Sequence, residues 1–151
     1  MHQFQVGIVY SSRYLDHKTG SGHPESPARL EAIIRSLNKS GVLNSDKYSL
    51  VDPVYAEIEI VKSVHDEDYL TSVRKICECG GGLLDIGDTV ASSESFDVAL
   101  LAAGGVMRAI ELVMNGSIKN AFAIVRPPGH HAGRGYAMGF CILNNVAIGA
   151  S

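Results

Sequence analysis

The sequence lacks three features that would each point to a particular class of protein. Its three cysteines are odd in number and too few for a disulfide framework, which favours a reducing compartment. With 13 Lys and Arg against 16 Asp and Glu, the net charge of -3 gives no positive field that would hold nucleic acid or an acidic membrane surface. No uninterrupted apolar run reaches the roughly 18 residues of a membrane span, and residues 1–5 do not resemble the start of a signal peptide. We therefore expect a cytoplasmic protein without a membrane or a direct nucleic-acid partner.

The length and the composition are those of one globular domain. A chain of 151 residues can bury a hydrophobic core, and 46% hydrophobic with 19% charged residues is typical of folded proteins. We therefore expect one domain, with part of a larger domain as the competing interpretation.

Short apolar segments alternate with segments that have helical spacing. Apolar, partly β-branched runs predict strands, the last of them buried on both faces, at 6–10, 48–55 and 121–125. Apolar residues on one helical face, with capping and stop residues, predict helices at 26–40, 56–64, 66–79, 95–115 and 141–150. Residues 80–82 are a triple glycine that should end a helix, since the Lys-Ser/Thr of a phosphate loop is missing. The alternation predicts an α/β fold.

Two adjacent histidines, His130 and His131, follow the last predicted strand in the segment RPPGHHAGRGYAMGF. The Pro-Pro-Gly before them cannot continue a strand and allows a sharp turn. Ligands of parallel α/β sheets bind beyond the carboxyl ends of the strands, which is where the pair falls. An imidazole can take a proton from water and return it to a leaving amine, so the pair favours hydrolysis of an amide or ester. The alternative is that the pair only hydrogen-bonds its own loop.

Three stretches resemble the histone deacetylase family: 126–132 (RPPGHHA), 138–147 (MGFCILNNVA) and 22–30 (GHPESPARL). The last has the form found in the bacterial, archaeal and class II branches and in acetylpolyamine and acetoin-utilisation relatives. The resemblance implies a zinc-dependent deacetylase with an arginase-like, three-layer α/β fold, in which helices flank a mostly parallel central sheet. The implied substrate is acetyl-lysine in a protein or a small acetylated amine.

The resemblance also implies roles for residues of the 126–140 segment. His131 would act as general base and acid, with His130 as an electrostatic or hydrogen-bonding aid. Gly139 and Phe140 would line the narrow channel for the acyl-lysine stem, where an aromatic wall suits a row of methylenes. Loop packing is the alternative role for Gly139 and Phe140.

Two further residues match family positions outside that segment. Asp88 would be the rim aspartate that holds the backbone amides of the substrate, with a surface or capping Asp as the alternative. Arg29 would lie near an internal cavity under the active site where acetate collects, with a solvated helix-face Arg as the alternative. Cys141 matches a position beside the pocket, where a small packing residue is expected because no basic partner is adjacent.

The metal ligands of the family have no counterpart in this sequence. They are an Asp-x-His and a later Asp, but no Asp-x-His occurs in the 151 residues, and no Asp, Glu or His follows His131. His65 precedes an acidic cluster that is typical of a helix N-terminal turn rather than a metal site. We therefore expect residues 1–151 to be the N-terminal part of one deacetylase-like domain, with Zn2+ ligands beyond residue 151 and an inactive isolated chain. A non-catalytic module that binds acylated ligands or a protein partner is the alternative.

Overall fold

Three short parallel strands form the central sheet in a computed structural model that describes residues 6–151. Strand β1 (Val6–Val9) lies in the middle, between β2 (Tyr48–Val51) and β5 (Asn120–Ala123). Val6 lies opposite Tyr48 on one side and Asn120 on the other. Parallel neighbours need long crossovers, which the helices between the strands provide. Residues 1–5, on which the expected absence of a signal peptide partly depends, lie outside the described residues.

Helices and one hairpin pack around this sheet. The helices are α1 (Pro27–Lys39), α2 (Ile58–Val64), α3 (Glu67–Glu78), α4 (Ser95–Met114) and α5 (Asn145–Ala150). The hairpin pairs β3 (Gly81–Leu83) with β4 (Val90–Ser92) in antiparallel register. Within residues 6–151, none of the helices has the length and apolar character needed to span a bilayer.

Helix α4 lies at the centre of the core because its small and apolar residues are buried on two sides. Ala99 and Ala103 belong to one buried cluster, with residues of α2, α3 and α5. Val98 and Leu101 belong to a second cluster, with residues of β1 and α1. The sheet and the α2–α3 layer are thus held together through one helix.

The helix boundaries agree with the sequence except near residue 141. α1 begins at Pro27, directly after Ser26, as expected for Pro in a first helical turn. The helix predicted from residue 141 begins only at Asn145, because the side chain of Asn144 accepts a hydrogen bond from the Ala147 amide at 3.1 Å and caps it there. Asp66 occupies the N-cap position of α3 without a capping bond. Its carboxylate instead accepts a hydrogen bond from Nε of Arg134 at 2.9 Å.

One strand prediction is wrong in its burial, the strand predicted at 48–55 ends at Val51, and one hairpin was not predicted. β5 is not buried on both faces, because it is an edge strand within the described residues, and Phe122 is 52% exposed. The hairpin was not predicted, since strands of three residues carry too little alternation to be recognised. The triple glycine does end α3, and Gly80 and Gly81, at φ of 100° and 101°, then turn the chain into β3.

Exposed apolar residues border β5 on one side and form an open groove, here called the β5 groove. It has a volume of about 1010 Å³, and its apolar lining includes Val106, Ile110, Val113, Met114, Ala121 and Val146. An uncovered strand edge beside an apolar surface favours association with another chain.

We therefore expect the 151-residue chain to self-associate, and Phe122→Lys to weaken the association at least about tenfold, because charge on an edge strand opposes pairing. Sedimentation equilibrium measures the dissociation constant of both proteins. Tyr55→Lys is the matched control, since Tyr55 is equally exposed, at 51%, but lies away from β5. Monomeric behaviour of the unsubstituted chain would contradict the expectation.

Candidate active site

The turn after β5 presents both imidazoles to solvent. His130 and His131 are exposed, their ring centroids are 4.3 Å apart, and the ring planes are inclined by 51°. The amide of Ala132 donates to the carbonyl of Gly129 at 3.1 Å and closes the turn. Among residues 6–151 neither imidazole has a hydrogen-bond partner, and both side chains are exposed, so a substrate or water can reach the rings. The loop-bonding alternative therefore has no support in the geometry.

Two glycines allow this turn to form. Gly129 packs against the backbone of residues 143–145, where an added Cβ would overlap the carbonyl oxygen of Leu143 and lie 2.5 Å from the Asn145 amide. Gly139 has a φ of 54° and passes beneath the His131 ring, where a Cβ would lie 2.9 Å from Cδ2. Gly139 thus packs against the ring of His131, within the same segment.

A buried ion pair joins the start of the histidine turn, at Arg126, to the GHPES segment, residues 22–26. Nε of Arg126 donates to Oε1 of Glu25 at 2.7 Å, and the two side chains are 0% and 5% exposed. Nη1 of Arg126 donates to the carbonyls of Tyr14 at 2.9 Å and His17 at 2.6 Å. Burial lowers the pKa of Arg126, while the hydrogen bond that Arg126 donates to Glu25 opposes that shift. Two motifs separated by 101 positions are therefore parts of one structure.

His17 continues this buried network toward α4. Its Nδ1 lies 2.6 Å from the hydroxyl of Ser95, and its Nε2 lies 3.6 Å from Oε2 of Glu25. Burial, reinforced by the positive charge of Arg126, lowers the pKa of His17 to about 3. The native protein therefore holds this imidazole in its neutral form at neutral pH.

The free energy of unfolding should consequently fall as the pH falls from about 6.5, the ordinary pKa of His, toward 3. In this window the unfolded chain binds a proton at His17 that the native state does not, which costs about 1.4 kcal/mol per pH unit. Urea unfolding at pH 7, 6 and 5 measures the slope, and His17→Gln should make it shallower by about one proton. An equal slope in both proteins would contradict the assignment.

His65 is a buried hydrogen-bonding residue that links α5 to the histidine loop. Its Nε2 accepts from the amide of Asn144 at 2.9 Å, so the proton lies on Nδ1, which donates to the carbonyl of Arg134 at 3.3 Å. Nδ2 of Asn144 in turn donates to the carbonyl of Ala132, next to His131. Burial lowers the pKa of His65. The metal-ligand role considered for His65 is thus replaced by a structural one.

The proposed channel wall and the proposed rim aspartate both contact His23. The Phe140 ring is half-buried and meets the His23 ring edge-on, with centroids 4.9 Å apart. Nδ1 of His23 lies 2.8 Å from the carbonyl oxygen and 3.1 Å from the amide nitrogen of Glu25, and Nε2 lies 3.0 Å from the carbonyl oxygen of Asp88. Asp88 itself is exposed in the loop between β3 and β4. The β3–β4 hairpin therefore places Asp88 beside His23, the residue whose ring contacts Phe140.

Arg29 lines the β5 groove. Its side chain is 44% exposed, and Nη2 lies 3.4 Å from Oε1 of Glu25 and 3.5 Å from the carbonyl of Val125. His130 and Phe140 line the same groove. In the described residues this region is an open groove rather than an internal cavity, and Arg29 is anchored at its wall through Glu25.

The described residues do not form a metal site. In residues 6–151 no group of three or more His, Cys, Asp and Glu side chains is placed to hold a metal ion. Cys141 lies beneath the turn, with Sγ 3.4 Å from the carbonyl of Gly139, and burial raises the pKa of its thiol. Cys141 therefore fits the packing role that the sequence suggested.

Sequence reasoning missed several of the residues that build the site. Glu25 lies in the GHPESPARL segment and Arg126 in the RPPGHHA segment, but no local pattern indicates that the two residues pair. Thr89, which is fully buried and contacts the Phe140 backbone, has no sequence signal at all. A histidine just before a helix whose first turn is acidic, as at His65, only weakly indicates that its side chain is buried.

Comparisons with known proteins place these features in a family context. Residues 23–151 match the family model of the histone deacetylase domain. The chain is 43% identical over 146 residues to an uncharacterized protein of Synechocystis, covering 96% of this chain and 47% of that protein. It is 42% identical over 143 residues to a probable deacetylase of Archaeoglobus fulgidus, covering 95% of this chain and 39% of that protein.

A solved structure shares the fold. The crystal structure of the HDA15 HD domain matches with a TM-score of 0.90 and 33% identity, over 97% of this chain and 42% of that chain. The match confirms the predicted α/β fold with a parallel sheet flanked by helices. The chain spans less than half the length of these relatives.

Proposed function

Because this chain belongs to the histone deacetylase domain family, we propose that its protein is a deacetylase acting on acetylated lysine in proteins or on small acetylated amines. One observation carries the proposal: two exposed imidazoles, 4.3 Å apart, stand beyond the carboxyl end of a parallel strand. The half-buried Phe140 is followed directly by the fully buried Cys141 and Ile142. The arrangement places imidazoles that can transfer protons beside the apolar ring of Phe140.

In this proposal His131 moves the protons of an amide hydrolysis. It takes a proton from the water that attacks the acetyl carbonyl, and it delivers a proton to the nitrogen as the C–N bond breaks. The products are acetate and a free amine. His130, whose ring contacts that of His131, stabilises the charge that His131 acquires.

The remaining residues bind and orient the substrate. Gly139 and Phe140 line the path of the methylene stem, and Asp88 accepts hydrogen bonds from the substrate backbone at the rim. Arg29, at the wall of the β5 groove, attracts the acetate that leaves.

We also propose that the protein uses zinc held by ligands outside residues 1–151, and that it acts in the cytoplasm. The described residues do not fit a zinc site, and the sequence contains no Asp-x-His. The relatives are more than twice as long as the matched segment, which leaves room for such ligands in a longer chain. The isolated 151-residue chain is accordingly proposed to be inactive and to bind no zinc tightly.

Acetate release tests the proposal. The complete protein should release acetate from an acetyl-lysine peptide or from an acetylated polyamine, and elemental analysis should find stoichiometric zinc. The 151-residue chain should give neither result, and zinc in that chain would contradict the placement of the ligands. A complete protein that binds the acetylated peptide without hydrolysing it would instead be a non-catalytic binding module.

A further inference from the structure

We propose that Thr89 is a positioning residue that fixes the Phe140 wall and thereby sets the fit of the substrate stem. The inference rests on the proposed function, in which Phe140 lines the channel. Thr89 does not touch the substrate path itself: it is fully buried and acts through the backbone of Phe140.

The backbone of Phe140 has a conformation that needs support. Its φ is 69°, and it is the only non-glycine residue with positive φ among residues 6–151. Bulky side chains rarely adopt this region unless surrounding contacts hold them there. The Phe140 amide makes such a contact, because it donates a hydrogen bond to Oγ1 of Thr89 at 3.0 Å.

The Thr89 hydroxyl is oriented to accept this bond. It donates its own proton to Oδ2 of Asp85 at 2.6 Å, which leaves the oxygen lone pairs for the Phe140 amide. Oδ1 of Asp85 accepts from the amides of Gly87 and Thr89, at 3.0 Å each. The carboxylate, the hydroxyl and the Phe140 amide therefore form one hydrogen-bonded chain from the hairpin to the wall.

A second contact from the same hairpin controls the ring of Phe140. Nε2 of His23 lies 3.0 Å from the carbonyl oxygen of Asp88, and the His23 ring meets the Phe140 ring edge-on. Thr89 thus holds the backbone of Phe140 while its neighbour, through His23, holds the ring. A shift of the hairpin would move the wall against the stem, so the β3–β4 loop determines which stem fits.

The test compares Thr89→Val, which removes the hydroxyl at nearly constant volume, with Thr89→Ser, which keeps it, in the complete protein. Thr89→Val should raise KM for an acetyl-lysine peptide about five- to tenfold and leave kcat within about twofold, since a displaced wall weakens ground-state and transition-state binding of the stem alike. Thr89→Ser should stay within about twofold of the unsubstituted protein. Thr71→Val, the same change at an exposed position of α3, is the matched control and should alter neither constant.

A double-mutant cycle with Phe140→Ala separates positioning from a general loss of stability. Thr89→Val should raise KM much less when Phe140 is already alanine, whereas a weakened fold would raise KM equally in both backgrounds. Hydrogen exchange of the Phe140 amide should be about tenfold faster in Thr89→Val than in Thr89→Ser. If Thr89→Val does not fold, Asp85→Asn should raise KM in the same direction.

Two results overturn the inference: an unchanged KM in an active Thr89→Val protein, or equal exchange of the Phe140 amide in the valine and serine variants. A complete protein that releases no acetate would contradict the proposed function instead. Amide exchange at Phe140 would then still decide whether Thr89 holds its backbone.

Discussion

Replacing His131 with alanine in the complete protein is expected to lower kcat for release of acetate by about 10²- to 10⁴-fold, the usual contribution of a general acid–base residue. The reason is that water attack and departure of the amine both require a proton transfer at this position. KM should change little, because the stem is held by Phe140 and its neighbours rather than by the imidazole. Initial rates of acetate release, measured over a range of peptide concentrations, give both constants.

The fold should survive this substitution, which makes the kinetic result interpretable. His131 is exposed, and its ring contacts that of His130, so the free energy of unfolding should change by no more than about 0.5 kcal/mol. His130→Ala is the comparison at the adjacent position and should reduce kcat less, because it removes charge stabilisation and not the proton carrier. A His131→Ala protein with kcat within about threefold of the original would contradict the assignment.

Replacing Glu25 with alanine should lower the free energy of unfolding by about 3 to 5 kcal/mol, because it leaves the fully buried Arg126 guanidinium without its counter-charge. That is a large share of the roughly 5 to 15 kcal/mol that holds a typical domain together. Urea unfolding at pH 7 measures the change. Since Arg126 also donates to the Tyr14 and His17 carbonyls, loss of the pair should also disturb residues 14–17.

Two further variants test whether the loss of stability comes from a buried charge that lacks its partner. Glu111→Ala breaks an exposed ion pair with Arg108 and should cost less than about 1 kcal/mol. Glu25→Leu combined with Arg126→Met removes both charges and should recover much of the stability lost in Glu25→Ala, because an apolar pair needs no counter-charge. A loss in Glu25→Ala no greater than that in Glu111→Ala would show that the buried pair is not the main link between the two motifs.

The sequence predicted the fold wherever a local pattern was long enough. α1 and α4 have several turns of helical spacing, so their limits were placed within about two residues. The apolar sequence of β5 predicts a buried strand. Burial, however, depends on whether another strand covers its edge, and no local sequence pattern contains that information. The β3–β4 hairpin was not predicted, because strands of three residues are too short to show an alternating apolar pattern.

Only the histidine turn of the site was predicted from the local sequence pattern, whereas Asp88 and Arg29 rested on the family resemblance. His130 and His131 could be placed at a strand end because Pro-Pro-Gly forbids the strand to continue. Their supports come from distant parts of the chain: Glu25 is 101 positions from Arg126, and Thr89 is 51 positions from Phe140. Such partners are chosen by the path of the whole chain, so a single sequence does not reveal them.

The central position of α4 makes the site depend on cooperativity. Ala99 and Ala103 pack in one buried cluster while Val98 and Leu101 pack in the other, so neither cluster can melt without uncovering a face of the same helix. Ile142, which follows the histidine turn, belongs to one cluster, and Tyr14, whose carbonyl accepts a hydrogen bond from Arg126, belongs to the other. Partial opening on either side would separate the imidazoles from their rim, so the geometry of the site persists only while both halves remain folded as a single unit.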